Sequence, residues 1–138
     1  MMKPRIMIAD DERAIRSAAR IVLENNGFEV VQACDGLEVV AQLKKQNGMD
    51  RPVDLVLLDL QMPNCSGEEA LQQIETFLPY PKVVLMTGNL LYERNPTINI
   101  PFYSGMLVKP FDRNTLLTTV RASLEAGCCK SAGSLANG

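Results

Sequence analysis

The chain has 138 residues, of which 46% are apolar and 22% are charged, the size and balance of one globular domain. Its formal net charge of −2 gives no support for a nucleic-acid-binding or membrane-binding surface, because such surfaces need concentrated basic residues. No apolar run approaches the roughly 20 residues that span a bilayer, and no signal peptide is recognisable, so we expect a cytoplasmic domain.

Five short apolar runs alternate with longer segments of helical periodicity. A strand buried on both faces reads as an unbroken apolar run, as residues 55–58 do, and such runs predict a parallel sheet. Strands that alternate with helices predict a three-layer α/β sandwich. The predicted strands are 5–9, 29–33, 53–58, 82–86 and 103–108.

Between these runs, apolar residues recur at the i, i+3, i+4 spacing of amphipathic helices. The first helix is predicted to end at Asn26 and Gly27, which favour helix termination. The last covers about 112–126, with Asp112 as its N-cap. The periodic positions are Ile15, Ala18, Ala19, Val22 and Leu23 in the first helix, Leu37, Val40, Ala41 and Lys44 in the second, Ala70, Leu71, Ile74 and Leu78 in the third, and Leu116, Leu117, Val120 and Leu124 in the last.

The segment 89–102 breaks this alternation. It should hold the fourth helix, yet it contains Pro96 and Pro101, and a proline in a helix interior costs roughly 3 kcal/mol. We therefore predict an irregular fourth helix, confined to about 89–94. Small and polar residues further along the chain predict that 128–138 is a flexible tail and that 1–127 forms the folded domain.

Polar side chains stand at the predicted carboxyl ends of four strands. The first strand is followed by Asp10 and Asp11, the third by Asp59, the fourth by Thr87 and the fifth by Lys109. In an open parallel sheet these ends share one edge, where ligands bind at the point at which the strand order reverses. Each acidic residue alone has an ordinary interpretation as a helix cap or turn residue, but the combination predicts a functional site.

Three carboxylates at one edge repel each other, so we expect a cation to neutralise them. Oxygen ligands favour Mg²⁺, or Mn²⁺ in its place, over zinc. The chain has no histidine, and its cysteines lack the CxxC spacing of zinc sites. We interpret the cysteines as reduced cytosolic thiols: Cys34, Cys65, Cys128 and Cys129.

Four motifs extend the pattern beyond single residues. They are Ile-Met-Ile-Ala-Asp-Asp-Glu at 6–12, Leu-Leu-Asp-Leu-Gln-Met-Pro at 57–63 with Gly67 after it, Val-Leu-Met-Thr-Gly at 84–88, and Val-Lys-Pro-Phe at 108–111. In order and spacing they resemble the receiver domain of two-component response regulators, of the CheY-like superfamily, over residues 5–126. The resemblance implies a doubly wound, five-stranded parallel sheet with the flavodoxin-like strand order 2-1-3-4-5.

The resemblance also implies a role for each acidic residue. Asp59 would be the nucleophile and the phosphorylation site. Asp11 and Asp59 would bind Mg²⁺ directly, with the backbone carbonyl of Gln61 as a third ligand, and Asp10 would act mostly through a metal-bound water. Phosphoryl transfer depends mainly on positioning and charge neutralisation, which such a site supplies.

Two further residues complete the implied site. Lys109 would pair with the phosphoryl oxygens, the Thr87 hydroxyl would move to hydrogen-bond the phosphoryl group, and the peptide between Lys109 and Pro110 is typically cis in such domains. Because the chain has no histidine, the donor is expected to be a sensor histidine kinase or a histidine phosphotransfer protein. The chain would then be a self-phosphorylating and self-dephosphorylating receiver, not a conventional enzyme, that changes its binding to a downstream effector.

The match departs from the family pattern beyond the fourth strand. The family usually has an aromatic residue three positions before the lysine, where this chain has Met106, a flexible side chain without a hydroxyl. The small residue after Thr87 is kept as Gly88. Because the fourth helix is also interrupted, we hypothesise that partner contacts use the first or the fifth helix.

Three alternatives to a phosphoaccepting receiver belong to other classes. A pseudo-receiver would have the same fold without phosphotransfer. A nucleotide- or flavin-binding protein would need a phosphate-cradling loop where this chain has Asp10 and Asp11. A phosphatase resembling the haloacid dehalogenase group would have a second aspartate at the position of Gln61. As a receiver, the chain is expected to be either a stand-alone regulator or part of a larger protein, such as a hybrid histidine kinase.

Overall fold

The computed structural model describes residues 3–47, 52–62, 67–74, 76, 81–88 and 104–125. Within them, strands and helices alternate as the sequence predicts from β1 to β4, and a helix follows β5. In chain order the elements are β1 (Arg5–Ala9), α1 (Arg13–Glu24), β2 (Glu29–Ala33), α2 (Gly36–Asn47), β3 (Leu55–Asp59), α3 (Gly67–Ile74), β4 (Lys82–Thr87), β5 (Gly105–Val108) and α4 (Arg113–Glu125). The last of these, α4, is the helix that the sequence predicts as the fifth.

The five strands lie parallel in one sheet of order β2-β1-β3-β4-β5. The strand order therefore reverses between β1 and β3, which are hydrogen-bonded neighbours. Their register pairs Ala9 with Leu58, so that Asp10 and Asp59, the next residue in each strand direction, are level with each other. The predicted α/β class and the strand order 2-1-3-4-5 are confirmed.

Alternating side chains of the central strands divide the core into two layers. On β1, Met7 and Ala9 face the layer that α2 and α3 cover, whereas Ile6 and Ile8 face the layer that α1 and α4 cover. All four side chains are completely buried. Full burial of an aliphatic side chain stabilises a fold by roughly 1.5–3 kcal/mol, so both layers contribute to holding β1 and β3 side by side.

Local hydrogen bonds fix the helix ends near the carboxyl edge of the sheet. Asp112 caps α4, because its Oδ1 accepts a hydrogen bond from the Thr115 N–H at 2.8 Å, and this bond lowers the pKa of the Asp112 carboxyl. At the start of α2, the Glu38 N–H donates to Asp35 Oδ1 at 2.8 Å, and the Glu38 carboxylate accepts from the Cys34 N–H at 2.7 Å. The predicted cap at Asp112 is thus confirmed.

The predicted buried faces of two helices are wrong in part. In α1, Ala19 and Leu23 are buried as predicted, but Ala18 is exposed. In α2, Leu37 is 58% exposed and Val39 is completely buried, so the buried stripe is displaced around the helix. Spacing identifies a helix, but the sheet on which it packs decides which side of a broad apolar stripe is covered.

Two strands run one residue further than predicted, since β3 ends at Asp59 and β4 ends at Thr87. Cys34 is a free, exposed thiol. The predicted irregular fourth helix in 89–102, the predicted tail and the other three cysteines lie outside the described residues. Among the helices that the structure describes, none has the length and apolar character to cross a membrane.

Candidate functional site

Three carboxylates meet where the strand order reverses. Asp59 is the last residue of β3, Asp10 follows the last residue of the neighbouring β1, and Asp11 is next along the chain. Each offers one carboxylate oxygen, and these oxygens lie within 4.8 Å of one another. The structure therefore brings together the three acidic residues that the sequence analysis selected.

Asp10 is completely buried and is held from three directions. Its backbone N–H donates to the Ala33 carbonyl at 3.1 Å, and its Oδ1 accepts from the Glu12 N–H at 2.8 Å. Its Oδ2 lies 2.7 Å from Lys109 Nζ. Because a buried carboxylate is costly without a charge partner, the direct contact with Lys109 is what makes the burial of Asp10 tolerable.

Asp59 is only 4% exposed. Its Oδ1 accepts a hydrogen bond from the Gln61 N–H at 3.1 Å, and its Oδ2 accepts one from the Lys109 ammonium at 3.2 Å. Burial, together with the nearby charge of Asp10, raises the pKa of Asp59 above its ordinary value, although the Gln61 N–H and Lys109 act in the opposite direction. The surroundings thus disfavour the charged form of Asp59, and an additional cation would offset this electrostatic cost.

The Lys109 ammonium is the cationic centre of the cluster. Besides Asp10 and Asp59, it lies 4.0 Å from Glu12 Oε1. Although burial of the ammonium opposes protonation, its close contact with Asp10 and the charge of Asp59 raise the pKa of Lys109 above its ordinary value. Lys109 therefore stays charged at neutral pH, and its single ammonium faces the carboxylates of Asp10, Glu12 and Asp59.

Thr87 and Gln61 lie at the same edge of the sheet. Thr87 is a buried residue whose carbonyl accepts a hydrogen bond from the Lys109 N–H at 2.7 Å, which ties the end of β5 to the end of β4. The Lys109–Pro110 peptide bond is cis, as predicted. Gln61 is exposed and contacts Asp59 through its N–H. The metal contact predicted for the Gln61 carbonyl and the phosphoryl contact predicted for the Thr87 hydroxyl stay predictions.

The cluster offers oxygen donors and one ammonium. Carboxylate and carbonyl oxygens are the ligands that Mg²⁺, Mn²⁺ and Ca²⁺ prefer, whereas zinc sites usually include histidine or cysteine. The chain has no histidine at all. Chemically, the arrangement can hold a hard divalent cation between carboxylates and an anionic group against Lys109.

The sequence of residues 6–121 matches the profile of the response regulator receiver domain. The chain belongs to this family. The predicted resemblance is therefore confirmed: the chain is a receiver domain of two-component systems. Asp10, Asp11, Asp59 and Lys109 are here called the receiver site.

The receiver domain is 40% identical over 121 residues to the CAI-1 autoinducer sensor kinase/phosphatase CqsS of Vibrio cholerae, a match that covers 86% of this chain and 17% of CqsS. The chemotaxis response regulator CheY4 of Vibrio cholerae has a TM-score of 0.78 and 26% identity, covering 89% of this chain and 99% of that one. The response regulator TrrA of Thermotoga maritima has a TM-score of 0.74 and 28% identity, covering 87% and 98%. The chain spans between 16% and 51% of the lengths of the first curated relatives that it matches.

Met106 departs from the family pattern, whereas Gly88 keeps the small residue that the family has after Thr87. Met106 is half-buried on β5, opposite Leu85, and packs against the core layer under α2 and α3. Gly88 is exposed, and a Cβ at this position would meet no atom within 4 Å among the described residues. Packing by the described residues therefore does not explain why the residue after Thr87 is small.

Two site residues escaped the sequence analysis. Glu12 donates its N–H to Asp10 and places its carboxylate 4.0 Å from Lys109. Arg16 donates from Nη1 to the backbone carbonyl of Asp10 at 2.7 Å. Both are charged residues in or just before the first turns of α1, a position where sequence alone indicates only a solvated helix face. The one available signal was their place immediately after the acidic pair.

An apolar groove of about 450 Å³ opens beside the receiver site, between α1 and the start of α4. Its apolar lining comprises Ile15, Ala18, Ala19, Val22, Phe111 and Leu116. Lys109 also lines it, and Lys109 contacts Asp59, so the groove leads directly to the acidic cluster. Ala18, predicted to be buried, is exposed and lines this groove.

Proposed function

We propose that this receiver domain takes a phosphoryl group from a phosphohistidine donor onto the Asp59 carboxylate in a Mg²⁺-dependent reaction. The observation that carries the proposal is the Lys109 ammonium, which lies between Asp10 Oδ2 at 2.7 Å and Asp59 Oδ2 at 3.2 Å. A carboxylate nucleophile that accepts an anionic group needs positive charge placed in advance, and an ammonium in this position supplies it without further rearrangement.

The oxygen donors of the cluster fit a Mg²⁺ ion, with Mn²⁺ as a substitute. Asp11 and Asp59 would hold it directly, the Gln61 carbonyl would be a third ligand, and Asp10 would act through water. When bound, the ion supplies positive charge that offsets the repulsion among the carboxylates and neutralises the phosphoryl oxygens. The structural neighbour TrrA was solved in complex with Mg²⁺-BeF, which supports the choice of metal.

In the transfer, a carboxylate oxygen of Asp59 forms a bond to phosphorus while the bond from phosphorus to the donor imidazole nitrogen breaks. The electron pair of that bond stays with the imidazole, and the product is an acyl phosphate. Lys109 would pair with the phosphoryl oxygens and the Thr87 hydroxyl would hydrogen-bond one of them. The phosphoryl group has up to about two negative charges in place of the single charge of the carboxylate, and this local change is what a downstream partner would detect.

The chain is therefore a reactant in its own phosphorylation and dephosphorylation, and not an enzyme in the conventional sense. Its proposed partners are a sensor histidine kinase or a histidine phosphotransfer protein, and a downstream effector. We place this chemistry in the cytoplasm, with no direct contact to nucleic acid or membrane. The match to part of CqsS, a sensor kinase/phosphatase by name, supports a receiver that works within or beside such a kinase.

Acetyl phosphate with MgCl₂ is expected to add the mass of one phosphoryl group to the chain, because this small donor needs no docking surface. Intact-protein mass spectrometry measures the gain, and removal of the metal with EDTA should prevent it. A pseudo-receiver, the alternative function, would gain no mass and would not bind Mg²⁺. A folded protein that gains no mass at saturating MgCl₂ would rule out the proposal.

The groove beside Lys109 supports the hypothesis that partners contact the first and fifth helices, α1 and α4. A histidine that approaches Asp59 must come within bonding distance of a nearly buried carboxylate, so its protein has to cover the neighbouring surface. The apolar lining of the groove offers the kind of contact that interface centres provide. This surface lies next to the site and does not depend on the segment 89–102.

Ala18→Arg is expected to slow transfer from a phosphorylated histidine phosphotransfer protein by roughly tenfold, equivalent to about 1.4 kcal/mol, because a long cationic side chain would obstruct the groove. Uptake from acetyl phosphate should not change. Ser17→Arg is the matched control, since it adds the same charge at an exposed neighbouring position that does not line the groove. Equal slowing in both variants would contradict a specific contact at the groove.

A further inference from the structure

Arg16 joins the acidic pair to the edge of the sheet. Its Nη1 donates to the backbone carbonyl of Asp10 at 2.7 Å, and its Nε donates to Gln32 Oε1 at 3.2 Å. A guanidinium can serve both acceptors at once because its N–H groups are fixed in one plane and point in different directions. Arg16 is half-buried on α1, and none of the roles assigned above to the phosphoryl or metal site involves it.

The carbonyl that Arg16 holds belongs to the peptide between Asp10 and Asp11. A peptide unit is planar, so fixing its carbonyl oxygen also fixes the position of the Asp11 Cα, from which the Asp11 side chain starts. Asp11 is exposed, and within the described part of the chain no side-chain hydrogen bond orients its carboxylate. The Asp10–Asp11 peptide therefore sets the position from which the Asp11 carboxylate reaches the cluster.

The other end of the contact is anchored as well. Gln32 lies on β2, the edge strand, and its backbone carbonyl accepts a hydrogen bond from Gln42 Nε2 of α2 at 2.6 Å. Asp10 itself bonds to the same strand through its N–H and the Ala33 carbonyl. The Asp10–Asp11 peptide is thus tied to β2 by the backbone bond of the preceding peptide and by Arg16, which links the carbonyl of the Asp10–Asp11 peptide to Gln32.

We propose that Arg16 is a positioning residue of the cation site, which holds the Asp10–Asp11 peptide so that both carboxylates converge with Asp59 on one ion. The inference rests on the proposed Mg²⁺-dependent function and deepens it. Arg16 does not contact the ion or the phosphoryl group in this scheme. It acts through the backbone that carries two of the three carboxylates.

The direction in which Mg²⁺ affinity changes when Arg16 is replaced distinguishes a positioning role from an effect of its charge. A guanidinium bonded to the backbone of the acidic pair repels a divalent cation held there, so its removal should strengthen Mg²⁺ binding if only the electric field mattered. Loss of a bond that orients a ligand should weaken Mg²⁺ binding instead, and outer contacts of metal ligands are typically worth about 10–100-fold in affinity. The two effects oppose each other, and positioning predicts a net weakening.

Mg²⁺ affinity of the whole chain should be measured by isothermal titration calorimetry with MgCl₂ for the wild type, Arg16→Gln, Arg16→Lys and Arg20→Gln. We expect Arg16→Gln to bind Mg²⁺ about tenfold more weakly. Arg16→Lys keeps the charge but has a single donor centre, so its Mg²⁺ affinity should lie between those of the wild type and Arg16→Gln. Arg20→Gln is the matched control, because Arg20 lies one turn further along α1 in an exposed pair with Glu24 at 3.7 Å.

Urea unfolding of the same variants without metal shows whether any loss reflects a damaged fold. If Arg16→Gln fails to fold, Arg16→Lys and Gln32→Met, which removes the acceptor of the Nε bond, carry the test. If the folded Arg16 variants bind Mg²⁺ as tightly as the wild type or more tightly, the positioning role of Arg16 is overturned, but the proposed function is not. A wild type that binds no Mg²⁺ and gains no phosphoryl group would overturn the proposed function and the inference with it.

Discussion

Replacing Asp59 with Asn is expected to abolish phosphoryl uptake and, at neutral pH without metal, to stabilise the fold. The loss of uptake follows because an amide is no nucleophile and forms no acyl phosphate. The gain in stability follows because burial and the charge of Asp10 together raise the pKa of Asp59, so the folded protein disfavours the charged carboxylate. An amide of the same shape removes that charge, and we expect on the order of 1 kcal/mol of stabilisation.

The raised pKa of Asp59 also predicts that the free energy of unfolding of the wild type depends on pH in a way that the Asp59→Asn variant does not show. A carboxyl group with a raised pKa in the folded state binds its proton more tightly there than in the unfolded chain. Its contribution to stability is complete below the ordinary carboxyl pKa and is lost as the pH rises through the higher pKa of the folded state. The free energy of unfolding of the metal-free wild type should therefore fall across this range relative to that of Asp59→Asn.

Urea titrations at several pH values, with EDTA present, measure the difference between the two proteins. Asp54→Asn is the matched control, because Asp54 lies just before β3, at the opposite end from Asp59, and is exposed. Its Oδ2 accepts a hydrogen bond from the Arg5 N–H at 2.8 Å, which an amide oxygen can replace. A lower stability of Asp59→Asn would contradict the destabilising effect of the buried charge, and uptake of a phosphoryl group by this variant would contradict the assignment of Asp59 as the acceptor.

The fold was predictable because its signals are local and repeated. Residues 55–58 form an unbroken apolar run in a chain whose other runs alternate with helical spacing, and this pattern has few solutions other than a covered parallel sheet. Which side of each helix is buried was less predictable, as Ala18 and Leu37 show. That choice depends on the groove between α1 and α4 and on the packing of α2, which are properties of the assembled layers.

The location of the site was also predictable, since residues at the carboxyl ends of parallel strands share one edge. Asp10, Asp11, Asp59 and Lys109 were selected on that basis, and the structure places them together. What the sequence could not supply is the pairing within the cluster. The Lys109 ammonium lies closer to Asp10 than to Asp59, and this preference depends on side-chain positions that no spacing rule encodes.

The contact between Arg16 and the backbone of Asp10 could not be predicted from the sequence either. Arg16 reaches the backbone of Asp10, and a backbone carbonyl carries no sequence signature. Contacts between a side chain and a distant main-chain atom are therefore the part of a site that sequence patterns are least able to reveal. Arg16 also donates to Gln32, and the Asp10 N–H donates to the Ala33 carbonyl, so two further contacts tie the site to β2, whose residues are not part of the acidic cluster.

Replacing Lys109 with Met is expected to have the largest effect on the metal-free protein. The substitution keeps most of the apolar length of the side chain and removes the ammonium that contacts Asp10 and Asp59. Removal of one partner from a buried ion pair leaves the other charges uncompensated, and we expect a loss of roughly 2–4 kcal/mol in the free energy of unfolding at neutral pH. Phosphoryl uptake from acetyl phosphate should slow by about a hundredfold, because positive charge at the phosphoryl oxygens is lost.

Addition of MgCl₂ provides the decisive comparison, since a divalent cation bound by the same carboxylates would replace part of the missing charge. Mg²⁺ should therefore stabilise Lys109→Met by more than it stabilises the wild type, as measured by urea unfolding with and without the metal. Lys82→Met is the matched control, because Lys82 is half-buried at the other end of β4 and donates to the Leu124 carbonyl at 2.7 Å. Equal stabilisation by Mg²⁺ in all three proteins would mean that Lys109 and the cation do not share the carboxylates, and the proposed metal site would have to lie elsewhere.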